Sequence, residues 1–255
     1  MTKLSIITIN YNNASGLKKT IESVVHQTYS DFEYIVIDGA SSDESLEIIK
    51  SFDNQIDYWV SEPDTGIYNA MNKGIKQANG EYFLFLNSGD YLYQNTSVQD
   101  LMGENPEGDI VYTNQYRFSE KRERIKRFPD QLTFYWLYTQ YLPHNCMLIK
   151  RSLFETVGYY DEEYKIISDW LFYLLAIAKY NCSYQYIDMI FAAMEDGGIS
   201  NASEFRMDVR KERDAAVKKN FPLFYEDYKE FYESKHNTLF KKTKRLLKRL
   251  LFIQK

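Results

Sequence analysis

A chain of 255 residues with 44% hydrophobic content is long enough to bury a sizeable core and fits one large domain or one domain with an appendage. Its net charge of −5 conceals an asymmetry: residues 235–255 hold eight Lys or Arg and no acid, which leaves 23 basic against 36 acidic residues, a net of −13, in the first 234. An acidic body argues against nucleic acid as the main partner, and no uncharged apolar run reaches the roughly 20 residues that span a bilayer. Two cysteines, Cys146 and Cys182, offer neither a disulfide framework nor metal-ligand spacing. The start Met1, Thr2, Lys3 runs straight into a strand pattern, and together these features point to the cytoplasm.

The predicted elements alternate. Leu4 to Ile9 reads as a buried strand that stops at Asn10, Tyr11 and Asn12; Leu17, Ile21, Val24 and Val25 then share one helical face. A second strand, Tyr34 to Ile37, ends at Asp38. Ser41 and Glu44 have the spacing of a capping box ahead of a helix carrying Leu46, Ile49 and Phe52. The third strand, Ile56 to Val60, ends near Glu62 and Asp64. It precedes a helix opened by Gly66, carried by Ile67, Met71, Gly74, Ile75 and Ala78, and closed by Asn79 and Gly80. A fourth run, Tyr82 to Leu86, breaks at Asn87, Ser88, Gly89 and Asp90. Four strands separated by three helices imply a parallel sheet, and open α/β sheets bind ligands in the crevice beyond the strand carboxyl ends.

Beyond Asp90 the rhythm loosens. Asp109 to Phe118 and Arg122 to Phe128 read as a hairpin, His144 to Lys150 as a strand, and Leu153 to Val157 as a short helix. Asp169 to Tyr180 reads as an apolar helix and Ser183 to Met194 as a last strand. After Gly197 and Gly198 the chain is charged and helical, interrupted by Pro222.

Five blocks, in order, resemble family 2 glycosyltransferases: Ser5 to Asn12, Gln27 to Tyr29, Ile35 to Asp43, Ser61 to Gly74, and Phe85 to Asp90. The resemblance covers residues 1 to about 200. It implies a GT-A type, Rossmann-like mixed sheet, largely parallel and flanked by helices, with a C-terminal helical extension. The implied division is a catalytic domain over 1–200, with a nucleotide-binding half (1–97) and an acceptor half (98–200), and an extension over 201–255. A nucleotide-sugar donor and a divalent ion, Mn²⁺ or Mg²⁺, come with the family.

By that resemblance, Thr8, Ile9 and Tyr11 line the base pocket, Asp38 accepts from the base, and Asp64 reaches the ribose or donor sugar. Gly66 permits close backbone approach, Asn87 and Ser88 bind the donor, and Asp90 is the metal ligand. Where the family usually writes acids, Asn87 and Gly89 stand here, so the motif offers a single carboxylate. Met71 occupies a position often held by Arg, with Lys73 as a candidate substitute. Asp169 matches the base that deprotonates the acceptor hydroxyl; an Asp before a helix is also an ordinary cap, and the two roles are compatible. Such a base works when partial burial raises its pKa toward working pH. His144 faces the acceptor or contacts metal, and Gly197 and Gly198 belong to a loop that closes over the phosphates, with Glu195 and Asp196 beside it.

The leucines and cations of residues 238–255 form a basic amphipathic pattern suited to an anionic membrane surface or to packing on the same chain or on a second copy. The expected protein is an inverting, hexosyltransferase-type glycosyltransferase, peripheral to the inner face of the membrane. It would move a sugar, from a UDP-sugar by preference, to a glycan or lipid-linked saccharide in surface polysaccharide synthesis. A homo-oligomer stays open. The alternative is a catalytically silent glycan-binding or scaffolding module on the same fold. A nicotinamide dehydrogenase is disfavoured because the first turn lacks the Gly-x-Gly-x-x-Gly fingerprint.

Overall fold

The computed structural model describes residues 3–119, 122–195 and 203–232. The chain divides into two compact units, Met1–Val209 and Arg210–Lys255.

In the first unit, β1 (Leu4–Asn10), β2 (Phe32–Asp38), β3 (Tyr58–Ser61) and β4 (Tyr82–Phe85) run parallel in the spatial order β3-β2-β1-β4. α1 (Ala14–Val25), α2 (Ser45–Ser51) and α3 (Ile67–Gln77) connect them. Every β1 residue is buried, because helices cover both faces of the sheet. Leu4 and Ile6 pack with Leu17, Ile21 and Val24 of α1 and Ile49 of α2. The alternate residue Ile7 faces α3, where a Cβ added at Gly74 would lie 2.4 Å from its Cγ2; glycine is what lets helix and strand come so close.

The start of α2 is not the expected capping box. Glu44 makes no capping bond, and Ser41 Oγ donates instead to Asp38 Oδ1 at 2.6 Å, a stronger charge-assisted partner. Asp43 takes over: its Oδ1 accepts from Ser45 N at 3.1 Å and its Oδ2 from Ala14 N at 2.9 Å, so one carboxylate ties together the starts of two helices. At the far end of α3, Gly80 is needed for approach, since a Cβ there would lie 2.6 Å from Ser5 N.

The sheet continues past β4 as β8-β6-β9-β5. These are β5 (Tyr91–Leu92), β6 (Ile110–Ser119), β8 (Met147–Lys150) and β9 (Tyr184–Glu195). β8 runs antiparallel to both β4 and β6, β9 parallel to β6, and β5 antiparallel to β9. The expected hairpin is formed by β6 and β7 (Arg122–Lys126). α4 (Ser97–Gly103), α5 (Phe134–Thr139), α6 (Arg151–Thr156) and α7 (Ser168–Ala178) flank this half. The strand expected from His144 begins only at Met147, because His144–Cys146 turn as a short 3-10 helix in which Cys146 N donates to Pro143 O. That turn lifts His144 off the strand and into the cleft region. Phe154, Tyr160 and Phe172 pack ring against ring with Phe85 beneath α6 and α7.

In the second unit, the later part of α8 (Ser203–Asn220) is followed by helical residues 222–232, with the break at Phe221 and Pro222. Among the described residues no helix is long and apolar enough to cross a membrane. Gly197, Gly198, Asp196 and the 238–255 tail lie outside the described residues.

Candidate active site

Strand ends place the first group of polar side chains. At the carboxyl end of β2, Asp38 is fully buried. Its Oδ1 accepts from Asn10 Nδ2 (2.8 Å) and Ser41 Oγ (2.6 Å), and its Oδ2 from Ser61 Oγ (2.6 Å) and Ser41 N (3.0 Å). Burial alone would raise its pKa; the hydrogen bonds from Ser41, Ser61 and Asn10 overcome that and hold it below the ordinary carboxylate range. With four donors satisfied, Asp38 fixes the ends of β1, β2 and β3 rather than presenting an open lone pair to a base. Thr8 is likewise fully buried, its hydroxyl bonded to Tyr34 Oη at 3.0 Å, so its side chain does not line a pocket. Ile9 is 7% exposed, and Tyr11 stands out at 66%. Tyr11 and Asp64 meet over Gly39, where a Cβ would lie 2.4 Å from Asp64 Oδ2 and 3.2 Å from Tyr11 Cδ2. Asp64 Oδ1 accepts from Gly66 N at 3.0 Å, and Gly66 adopts φ 139°, a conformation L residues avoid.

Residues Asn87 to Asp90 form a tight turn beyond β4. Asp90 N donates to Asn87 O, Gly89 sits at φ 103°, and Thr20 Oγ1 both donates to Asp90 O (2.6 Å) and accepts from Gly89 N (2.9 Å). Asn13 Nδ2 donates to Ser88 O at 3.0 Å. The turn chemistry of these residues and the delivery of Asp90 to the cleft are one and the same device.

The second half supplies the partners. His144 lies between two carboxylates, with Nδ1 3.3 Å from Asp169 Oδ2 and Nε2 3.7 Å from Asp90 Oδ2. Asp169 Oδ1 accepts from Tyr68 Oη (2.9 Å) and from Trp170 N (2.8 Å). Thus α3, the turn after β4, the turn before β8 and the first turn of α7 converge on a single linked group. Ile167 occupies the N-cap of α7 without a side-chain bond, and Asp169 spends its carboxylate on Tyr68 and His144 as well as on its own turn.

The electrostatics correct one expectation. Burial would raise the Asp169 pKa, yet the hydrogen bond and charge of His144, with Trp170 N–H and Tyr68, overcome it and hold the carboxyl below its ordinary range. Burial pulls the His144 pKa down, and Asp169 and then Asp90 more than restore it, for a net rise. Asp90 goes the other way: burial pushes it up to about 6 against the opposing pull of His144, Asn145 and Arg117. Lys73 is not aimed at a phosphate, because Nζ pairs with Glu62 Oε1 at 2.8 Å and donates to Pro63 O at 2.8 Å.

Asn87 Oδ1 and His144 Nε2 are buried atoms with no hydrogen-bond partner among the described residues. Together with the Asp90 carboxylate they fit a divalent ion held by few protein ligands and completed by phosphate oxygens, although the described residues hold no cluster of three or more His, Cys, Asp or Glu side chains suited to a metal.

The sequence profile described as glycosyl transferase family 2 matches residues 5–164. The chain belongs to that family. A glycosyltransferase of Mycobacterium bovis named for PGL/p-HBAD biosynthesis is 31% identical over 205 residues, covering 77% of this chain and 78% of the relative. A glycosyltransferase of Mycobacterium tuberculosis without assigned role is 33% identical over 178 residues, 68% of each chain. Among solved structures, residues 1–349 of TarS from S. aureus in complex with UDP-GlcNAc superpose with a TM-score of 0.66 at 20% identity, covering 85% of this chain and 66% of that one. A mannosyltransferase from Pyrobaculum calidifontis in complex with GDP-Man and Mn²⁺ gives 0.62 at 14% identity, covering 89% and 68%. The chain thus spans just under two thirds of the TarS structure, and the likeness to both establishes the GT-A fold. This family 2 glycosyltransferase carries two site residues that sequence reasoning passed over. Tyr68 lies inside the Ser61 to Gly74 block, and its place in the first turn of a helix that follows Asp64 and Gly66 is the available signal. Ser61 ended a strand beside Asp38, yet nothing in its spacing announced the bond.

Proposed function

We propose that this glycosyltransferase is an inverting enzyme that moves a sugar from a UDP-sugar donor to a hydroxyl of a glycan or lipid-linked saccharide in surface polysaccharide synthesis. The observation that carries the reading is the bridge made by His144 between Asp90 and Asp169. It supports a cleft with a donor side on residues 1–97 and an acceptor side on residues 98–200.

Tyr11, Asp64 and the Gly66 backbone receive the nucleoside and donor sugar, while Asp38 holds the strand ends that position them. Asp90, with Asn87 and His144 beside it, would hold Mn²⁺ or Mg²⁺; such an ion, when bound, neutralises charge on the leaving diphosphate. Asp169 takes the proton. The acceptor oxygen bonds to the anomeric carbon as the bond from that carbon to the diphosphate breaks, and the hydroxyl proton passes to Asp169 Oδ2. One displacement with one base inverts the configuration. Because His144 and Tyr68 hold Asp169 ionised, the base is fully available at neutral pH but weak, and it draws its proton as the hydroxyl acidifies during bond formation. Tyr68 and the Trp170 N–H fix the carboxylate through Oδ1, and Oδ2, oriented by His144 Nδ1 at 3.3 Å, takes the proton on its remaining lone pair. The described residues 203–232 form a helical extension, and the basic pattern of residues 238–255 suits contact with an anionic membrane face.

Thermal-shift titration with UDP-, GDP- and CDP-sugars in the presence of Mn²⁺ tests the donor. A stabilising shift with UDP-sugars is expected; a shift confined to guanosine or cytidine donors rejects the uridine assignment.

A further inference from the structure

The segment between α6 and α7 is clasped to α3 by one buried amide. Asn72 is 3% exposed; its Oδ1 accepts from Tyr160 N at 3.0 Å, and its Nδ2 donates to Tyr160 O at 2.8 Å and to Glu162 Oε1 at 2.8 Å. Asn69 Nδ2, one turn earlier on the helix, adds a bond to Glu162 Oε2 at 2.9 Å. Pairing both backbone groups of one residue takes a side chain that donates and accepts at once, which a carboxamide does and a carboxylate or an alkyl group does not. Without Asn72, the N–H and C=O of Tyr160 would lie buried and unpaired.

The clasp fixes the wall of the catalytic group. Tyr68 and Asn72 stand four residues apart on α3 and so share a face. The centre of the Tyr160 ring lies 5.7 Å from that of Tyr68 and 5.4 Å from that of Phe172, which follows Asp169 by three residues on α7. Tyr160 thus packs on the residue that donates to Asp169 Oδ1 at 2.9 Å and on the helical face from which Asp169 projects. Its own hydroxyl is buried with no hydrogen-bond partner among the described residues, so the backbone pairing with Asn72 and the packing of the ring set where Tyr160 sits. Asn72 makes no bond to Asp90, His144 or Asp169 and takes no part in the chemistry assigned to them.

We propose that Asn72 is a positioning residue for the transfer: paired with the Tyr160 backbone, it holds that ring against Tyr68 and α7 and thereby holds the Asp169 carboxylate where the acceptor hydroxyl meets it. A reacting group misplaced by about 1 Å can lose on the order of 100-fold in rate, so a clasp outside the cleft can govern turnover without touching the donor. The competing account gives Asn72 to stability alone. This inference rests on the reading of Asp169 as the base.

The test compares the full chain with Asn72→Ala, Tyr68→Phe and the double variant. Turnover is read as UDP released, with water as acceptor, from whichever of UDP-Glc, UDP-Gal and UDP-GlcNAc raises the melting temperature. Asn72→Ala should lower kcat about fivefold with donor KM within about twofold, and in the Tyr68→Phe background it should cost less than about twofold more, because both act through one carboxylate. Amide hydrogen exchange gives a second reading. The Trp170 N–H, which donates to Asp169 Oδ1, should exchange about tenfold faster in Asn72→Ala while the β1 amides keep their wild-type rates. Losses that multiply in the double variant, an unchanged kcat, or exchange that quickens equally in β1 and α7 would leave Asn72 a stability residue and overturn the proposal. Should Asn72→Ala fail to fold, Asn72→Asp, which keeps the shape and the bond from Tyr160 N, carries the same cycle and both readings. Wild type that releases no UDP, or Asp169→Asn that releases it as fast, defeats the base reading instead, and exchange at the Trp170 N–H still decides whether Asn72 positions Asp169.

Discussion

The two halves of the sheet deliver site residues by different routes. In β1 to β4, each parallel strand runs into a polar stop, so Asn10, Asp38, Ser61 and the Asn87 to Asp90 turn all emerge at one edge. In the second half, β8 runs antiparallel to both neighbours, and the residues that matter sit off the strands: His144 in a 3-10 turn before β8, Asp169 in the first turn of α7. The first half holds its acid by saturation, with four donors on Asp38. Where the halves meet, Asp90 from the first and His144 and Asp169 from the second are left partly open and coupled, with raised, raised and lowered pKa respectively. Architecture that only needs to be rigid is built from satisfied groups, and chemistry is left to groups that still have something to exchange.

The sharpest way to break that contrast is Asp169→Asn. Turnover should fall about 1000-fold, the middle of the range for general base catalysis, while UDP binding measured by calorimetry stays within about twofold. Retention of turnover within tenfold would move the chemistry away from the second half altogether.

Asp38→Asn probes the saturated half. It should lower stability by about 2 kcal/mol at pH 7 in urea unfolding, since an amide cannot accept from all four donors. The folded carboxyl lies below its unfolded value of about 3.9, so its stabilising contribution is complete above that value and disappears as pH falls through the folded pKa. Variant and wild-type curves should therefore converge in acid. A gap that stays constant down to pH 2 contradicts the assignment of the shift.

Tyr68→Phe removes the donor to Asp169 Oδ1 that joins the two halves. A drop in kcat of about tenfold is expected, with donor KM unchanged and a stability loss of about 1 kcal/mol. An effect confined to KM would make Tyr68 a donor-binding group. Smallest of all, Lys73→Ala should change donor KM by less than about twofold and stability by less than about 0.5 kcal/mol, because its pair with Glu62 is partly exposed. A tenfold rise in KM would restore Lys73 as a phosphate contact.

Much of this was legible before any coordinates. Apolar runs ending in Asn10, Asp38 and Asp90 announced parallel strands with a polar edge, and the ordered blocks announced the family. The reading failed where neighbours in sequence compete for the same partner. Ser41 and Glu44 had capping-box spacing, but the Asp38 carboxylate outcompeted the helix start for the Ser41 hydroxyl and Asp43 took the cap. Thr8, which the family resemblance places at the base pocket, is fully buried with its hydroxyl bonded to Tyr34, a contact that no spacing along the chain announces.

What the sequence determined by itself is local: which segments are strands and helices, where each strand stops, and which acids stand at those stops, all consequences of periodicity and of turn chemistry. Only the tertiary structure decided that Asp90 and Asp169 share His144 and that Tyr68 reaches across to the same carboxylate. Those contacts depend on β8 inserting antiparallel between β4 and β6, and on α7 docking beside α3. Pairings between distant segments are set by how whole layers bury their apolar faces, and spacing along the chain carries no record of them.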